Sequence, residues 1–212
     1  MPGLAAVSLN ILTRTPEAGK VKTRLIPALG IHGALRAHEQ LLTHVVRTAQ
    51  SWSLGSENRS ITLWCTPRIH HPVFDPLLPP NQRRLQHSGD LGQRLAAIAM
   101  EQLQRYHGII LLGGDAASVT KDLLEQTQDA LAHHDAVMAP AEDGGYVLLG
   151  LTRFHPTLFQ SITWGSASVA AETRNRLTTL QWPWKELALQ WDVDRLEDWQ
   201  RFKNEKDLRS KP

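Results

Sequence analysis

The sequence predicts an α/β fold, a three-layer α/β/α sandwich built on a mostly parallel sheet. Three observations carry that prediction. Short apolar runs alternate with segments of helical period through the first half of the chain, the rhythm of βαβ crossovers. Several runs end on glycine and an acid, as in Ile109-Ile110-Leu111-Leu112-Gly113-Gly114-Asp115. Finally, 212 residues are enough for one domain of this class to bury a substantial core.

Residues 5–12 read as the first strand, followed by a helix over 33–51, a strand over 60–65, a helix over 90–106, a strand over 108–113 and a helix over 119–132. A strand over 135–139 leads into a glycine loop, and Tyr146 to Leu151 returns as another strand. Helical patterns over 154–160 and 167–178 follow, then a tryptophan-rich extended stretch from Gln181 to Trp191, then a short helix beginning near Arg195. The prolines between Thr66 and Asn81 exclude regular structure and mark a surface connection. One domain over 1–203 and a charged tail over 204–212, expected to fray, complete the reading.

Charge and composition narrow the function classes. The net charge is +2 and the pI 8.9, but Lys and Arg are interspersed with acids, so no basic run argues for nucleic acid. The apolar stretch from Leu4 to Leu12 lacks a basic leader, is interrupted by Ser8 and Asn10, and reads as a strand, not a signal peptide. No apolar run approaches the roughly 20 residues needed for a membrane span, so a cytoplasmic location is expected. Cys65 is the sole cysteine and closes an apolar run, which predicts a buried thiol, no intrachain disulfide and no cysteine metal site. None of the ten histidines pairs with another at i, i+4, which argues against zinc, and there is no Gly-x-Ser-x-Gly elbow.

In open parallel sheets, ligands bind beyond the carboxyl ends of the strands. The candidate segments fall there. After the first strand, Arg14-Thr15-Pro16-Glu17-Ala18-Gly19-Lys20-Val21-Lys22-Thr23-Arg24 sets four cations within eleven residues around a proline and a glycine. That suits a loop wrapped on a polyphosphate, or else a solvated basic loop; it lacks the glycine spacing of a Walker loop. Asp115, at the end of an apolar run, is placed to hold a divalent cation with phosphates, or to cap the helix after it. The segment Ala139-Pro140-Ala141-Glu142-Asp143-Gly144-Gly145-Tyr146 offers a carboxylate and two glycines that admit a ligand near backbone, or an ordinary turn. Asp192 and Asp194 of Trp191-Asp192-Val193-Asp194 face one side if extended, so both could reach one cation; the alternative makes Asp194 a helix cap. Asp90 reads as an N-cap, with Arg94 on the first turn able to reach a ligand or pair with an acid. Trp182, Trp184 and Trp191 suit packing, and their segment is also a surface on which a homodimer could form.

The order of these motifs, a Pro-x-x-Gly-x-x-Lys-Thr-Arg-Leu loop, an Asp-Leu-Gly-x-Arg helix start, a strand end with Asp115, a Pro-Ala-x-Asp-Gly-Gly-Tyr loop, a Trp-centred turn and a terminal Asp-x-Asp, resembles a bacterial family of GT-A-fold transferases. These are the radical-SAM/selenodomain-associated, or arsenosugar-biosynthesis-type, glycosyltransferases, similar in turn to molybdenum-cofactor and phospholactate guanylyltransferases. The resemblance covers about residues 6–198. It implies a nucleotide-diphospho-sugar transferase that uses Mg²⁺ or Mn²⁺, with an unidentified acceptor. Arg14, Gly19, Lys22, Arg24 and Arg94 would bind nucleotide phosphates, and Asp115, Asp192 and Asp194 the metal. Asp143 and Asp115 would be catalytic, and Gly144, Gly145 and Tyr146 would form the substrate loop. Trp164 matches the tryptophan before the last large helix. A nucleotidyltransferase acting on a nucleoside triphosphate and releasing pyrophosphate is the alternative. The family continues Gly-Thr/Ser-Asp-x-Pro where this chain has Gly114 before Asp115 and Ala116-Ala117-Ser118 after it. That departure is expected to loosen the loop, and it motivates a third alternative, a non-catalytic nucleotide- or partner-binding module.

Overall fold

The computed structural model describes residues 6–209, with side chains described through Lys206. Leu4, expected in the first strand, lies outside the described residues. Seven strands form one sheet in the order β3-β2-β1-β4-β6-β5-β7. They are β1 Val7–Arg14, β2 Arg59–Thr66, β3 Arg83–Leu85, β4 Gly108–Gly113, β5 Ala136–Pro140, β6 Tyr146–Leu151 and β7 Trp184–Glu186. The helices are α1 Ile26–Ser53, α2 Leu91–Leu103, α3 Lys121–Leu131, α4 Val169–Thr179 and α5 Leu196–Arg209. All strand pairs are parallel except those of β6, which runs antiparallel to both β4 and β5.

Alternation along β1 shows how the layers are built. Val7, Leu9 and Ile11 pack on α1 and α3 in one core, while the opposite face meets α2 and α4 in a second. The polar residues that interrupt the first apolar run lie on that second face and are fully buried. Ser8 Oγ donates to Gln102 Oε1 at 3.1 Å and Trp64 Nε1 donates to Asn10 Oδ1 at 2.9 Å, so burial leaves them paired. A third cluster joins Leu25, Ala34 and Leu41 to Ala117, Trp191, Val193 and Phe202, fastening α5 across the start of α1.

Several elements differ from the sequence expectation. Helix α1 begins at Ile26, earlier than the expected residue 33, with a kink at Gly30 (φ 69°). The proline-rich connection is no mere surface strand of loop: Phe74, Leu77 and Leu78 are buried under it. Arg83, only 2 % exposed, donates to the Leu78 carbonyl and to Asp75, holding that connection down and forming β3. The segment expected as helix over 154–160 is a single 3₁₀ turn at Pro156–Leu158, because Ser161 takes φ 53° and ends it. Of the tryptophan-rich stretch Trp184–Glu186 joins the sheet as a strand and Gln190 makes a single bridge to Ala141, while Trp182 and Trp191 are buried. Trp184 is half-buried, and the exposed apolar residues of that stretch include Ala188 and Leu189. Helix α5 continues through Arg209, so the first part of the expected frayed tail is helical, and 210–212 lie outside the described residues. Cys65 is buried as expected, and burial pushes its thiol up to about 12.

Candidate active site

The carboxyl ends of β1, β4 and β5 meet along one edge of the sheet. Leu12 on β1 pairs with Gly113 on β4, and Gly114 N donates to Leu12 O at 2.9 Å. A Cβ on Gly114 would lie 3.1 Å from that carbonyl, so the absence of a side chain lets β4 leave the sheet directly beside the start of the basic loop. Asp115 follows at once. It does not cap the next helix: Thr120 does, accepting from Leu123 N.

A cavity of about 440 Å³ opens here, lined by Arg14, Lys20, Lys22, Arg24 and Arg94, with Asp115 and Asp194 as its acids. Three of those cations are already held. Lys20 pairs with Glu17 at 2.8 Å, Lys22 Nζ donates to Asp115 Oδ2 at 2.6 Å and to the Val193 carbonyl, and Arg24 pairs with Asp194. Lys22 sits in the left-handed region (φ 46°, ψ 44°), which is uncommon for a residue with a Cβ and typical of functional strain. Its side chain is 9 % exposed. Gly19, at φ 79°, has open space where a Cβ would be, so its role is conformational. Arg94 donates to the Gly89 carbonyl at 2.8 Å and reaches toward Gln86 Oε1 at 3.4 Å, a local anchorage and no acid partner. Asp90 does cap α2, in a reciprocal capping box with Gln93.

Burial by itself would raise the Asp115 carboxyl, but the Lys22 ammonium beside it outweighs this and holds it below the ordinary carboxylate range. Asp192 goes the other way. Burial first, then the charges of Asp115 and Asp143, raise it to about 7. These three carboxylates thus share one field, while Asp194, two residues on, turns to Arg24. The two acids of the terminal motif are therefore divided between two partners. Nor does the Asp194 carboxylate cap α5: Asp198 does, accepting from Asp194 N and Arg195 N at 3.0 and 2.8 Å.

The altered segment after Asp115 is not loose. Ala116 and Ala117 are buried, Ser118 Oγ donates to the Trp191 carbonyl at 2.7 Å, and Trp191 N returns a bond at 3.0 Å. Val193 N donates to Asp115 O at 3.3 Å. A serine clasp and small buried side chains do the fixing expected of a hydroxyl and a proline.

A second cavity of about 220 Å³ adjoins the first, with Leu12 and Leu91 in both walls. Its rim carries Asp143, Gly145 and Asp192, and its body Tyr146, Trp164 and leucines. Asp143 Oδ1 accepts from Gly145 N at 2.8 Å, and Gly144 (φ 89°) presses on the next loop, where a Cβ would come 2.2 Å from Ala167 O. Trp164 stands edge-on to Tyr146 and against Gly92, where any Cβ would strike its indole. The Tyr146 hydroxyl is buried with no hydrogen-bond partner, and burial raises its titration far above the usual phenol.

Sequence reasoning missed His38 and Gln86 as cavity residues. His38, buried on the inner face of α1, donates from Nε2 to Arg14 O at 2.9 Å; burial lowers its pKa and keeps it neutral. A polar ring among Ala34, Ala37 and Leu41 is a signal the sequence does contain. Gln86 donates to the carbonyls of Thr13 and Trp64, both at 2.9 Å, tying the end of β3 to β1 and β2.

A seven-stranded, mostly parallel sheet with helices on both faces and a polar site at its carboxyl edge is the fold of nucleotidyl and nucleotide-sugar transferases. The chain belongs to the bacterial family described as "Uncharacterized protein conserved in bacteria (DUF2064)", whose model matches residues 53–166. It is similar to a structure from Desulfovibrio desulfuricans G20 described as a "putative nucleotide-diphospho-sugar transferase", with 26% identity, a TM-score of 0.79, and 89% of this chain and 82% of that one covered. A glucose-1-phosphate thymidylyltransferase from Bacillus anthracis, so described with the same qualifier, shares the fold at 13% identity and TM-score 0.58, covering 94% of both chains. So does Rv0371c from Mycobacterium tuberculosis H37Rv in complex with manganese, at 17% identity and TM-score 0.51, covering 93% of this chain and 97% of that one. No curated protein matches the chain. Among the described residues, no helix is long and apolar enough to cross a membrane.

Proposed function

We propose that this chain is a metal-dependent transferase acting on a nucleotide-diphospho-sugar donor, of the radical-SAM-associated glycosyltransferase type. One observation carries the reading: five cations line a cavity whose inner wall is an ionised Asp115, at the edge where this fold binds ligands. Arg14, Lys22, Arg24 and Arg94 hold the donor phosphates, Arg by its planar fork and Lys as a point charge. The backbone at Gly19 lets the loop follow the diphosphate.

The residues present fit a hard divalent cation, Mg²⁺ or Mn²⁺. Asp115 and Asp192 would supply oxygen ligands, and the repulsion from Asp115 that adds to burial in raising Asp192 is what a cation would relieve. Among the described residues no group of three or more acids, histidines or cysteines is arranged to hold a metal alone, so a bound cation would draw its remaining ligands from phosphate oxygens and water. When bound, the metal supplies charge stabilisation to the leaving diphosphate. Asp194 contributes through Arg24, which it orients. Asp143 orients the acceptor or takes its proton, beside Gly144, Gly145 and Tyr146.

The similarity in fold to a thymidylyltransferase supports a second reading, nucleotidyl transfer from a triphosphate with release of pyrophosphate. A thermal-shift panel separates these from a non-catalytic module: UDP-, GDP-, ADP- and CDP-sugars and the parent triphosphates, each with Mg²⁺, Mn²⁺ or EDTA. One nucleotide at about 100 times its Kd should stabilise the protein by roughly 2.7 kcal/mol. That effect should require metal and should vanish in Asp115→Ala. Unchanged nucleotide affinity in Asp115→Ala, with and without metal, refutes the metal site. Product analysis, nucleoside diphosphate against pyrophosphate, then decides between the two chemistries.

A further inference from the structure

The second cavity has walls of a different kind from the first. Leu91, Leu95, Leu111, Trp164 and Val169 give it an apolar body, and the charged groups among its described lining residues are the carboxylates Asp143 and Asp192. No lysine, arginine or histidine lines it. An anion entering would lose its hydration to leucine and indole, face the Asp143 carboxylate, and find no cationic side chain among the described lining residues to replace the water. An uncharged or cationic group meets the opposite situation: carboxylates at the rim accept its hydrogen bonds, and Trp164 offers a face to its apolar part. The volume, about 220 Å³, suits one ring-sized body and excludes a second nucleotide.

We propose that this cavity takes the acceptor, and that the acceptor brings to it an alcohol or amine on an apolar body, and neither a phosphate nor a carboxylate. The assignment of the occupant as acceptor rests on the reading of the cationic cavity as the donor site. It also bears on the two chemistries, because transfer of a nucleotide to a sugar phosphate would place an anion in this acidic cavity.

Benzylamine, benzyl alcohol and benzyl phosphate share one apolar body and differ in charge, so their order of binding tests the inference. Dissociation constants are measured by ligand-observed NMR on the full chain and on Trp164→Ala, and the component that Trp164→Ala removes is assigned to this cavity. Benzylamine and benzyl alcohol should bind and weaken at least about fivefold in that variant, through loss of the indole face. Benzylamine should bind at least about tenfold more tightly than benzyl phosphate there, a difference of about 1.4 kcal/mol. Asp143→Lys, at an exposed position, should reverse the order of those two. The inference is overturned if the Trp164-dependent binding of benzyl phosphate equals or exceeds that of benzylamine, or if none of the three shows such binding. Where Trp164→Ala fails to give a cooperative melt, the effect of Asp143→Lys on the ratio decides alone. Nucleotide thermal shifts on the same preparations keep the two readings apart: their absence refutes the donor site, whereas the order of the probes speaks to the second cavity.

Discussion

The two cavities share Leu12 and Leu91 yet are built by opposite means. The cationic one is walled by long side chains on a loop, each restrained by an acid: Lys20 by Glu17, Lys22 by Asp115, Arg24 by Asp194. Gly19, in the basic loop beside that cavity, has nothing within 4 Å of where a Cβ would be, whereas Gly114 in the wall itself is tight against Leu12 and Thr13. Beside the apolar one backbone comes into close contact, Gly144 on Ala167 next to the lining Asp143 and Gly145, and Gly92 on Phe159 and the lining Trp164. Charge, which acts at a distance and tolerates movement, holds the side proposed to close on a flexible polyphosphate. Packing, which fails over half an ångström, holds the side that must keep a shape.

The largest effect expected from this contrast is on the glycines. Gly144→Ala must place a Cβ 2.2 Å from the Ala167 carbonyl at a positive φ, and should destabilise by about 3–5 kcal/mol in denaturant unfolding. Gly19→Ala, in open space, should cost only the left-handed backbone, about 1–2 kcal/mol. Equal costs would erase the distinction between the two walls.

Next is the acid between the cavities. Asp192 titrates near 7 in the folded protein against an ordinary 3.8, so folding holds its proton over that interval. Its contribution is therefore fully present below about pH 4 and is lost as pH rises through about 7. Asp192→Asn should be more stable than the parent above pH 7, by on the order of 2–4 kcal/mol, with the difference shrinking toward pH 4. Melting curves of both proteins across pH check this, and a difference of the opposite sign would remove Asp192 from the field of Asp115 and Asp143.

Smaller still is the loss from one loop cation. Arg24→Ala breaks a pair whose partners are 70% and 42% exposed, so the melting temperature should barely move. Donor affinity should fall about tenfold by calorimetry, and less so in high salt. A large fall in stability would mean that the loop is structural. Ser118→Ala, comparable in size to Gly19→Ala, should cost about 1–2 kcal/mol by undoing the two bonds to Trp191, and should also weaken metal-dependent nucleotide binding by loosening Asp115.

Much of this was legible in the sequence where the determinants are local. Gly113-Gly114-Asp115 at the end of an apolar run, the capping box at Asp90 and the glycine loop at Asp143 each announce themselves within a few residues. What was not legible depends on partners far along the chain. β3 is three residues with two arginines, and becomes a strand because Arg83 is buried against Leu78 and Asp75. The antiparallel course of β6 follows from its short return beside β5, which apolar runs alone do not reveal. Asp192 and Asp194 satisfy the spacing for one shared ion, but Arg24 draws the second away. The Ala-Ala-Ser segment read as a loss until its partner, Trp191, came into view.

Lys22 donates to Asp115, 93 positions away, and to Val193, 171 positions away. A chain emerging from the ribosome therefore carries its basic loop and its strand-end acid long before the backbone carbonyl that completes their triangle has been made. Until the Trp191–Val193 segment has been made and has closed, that triangle lacks its third side.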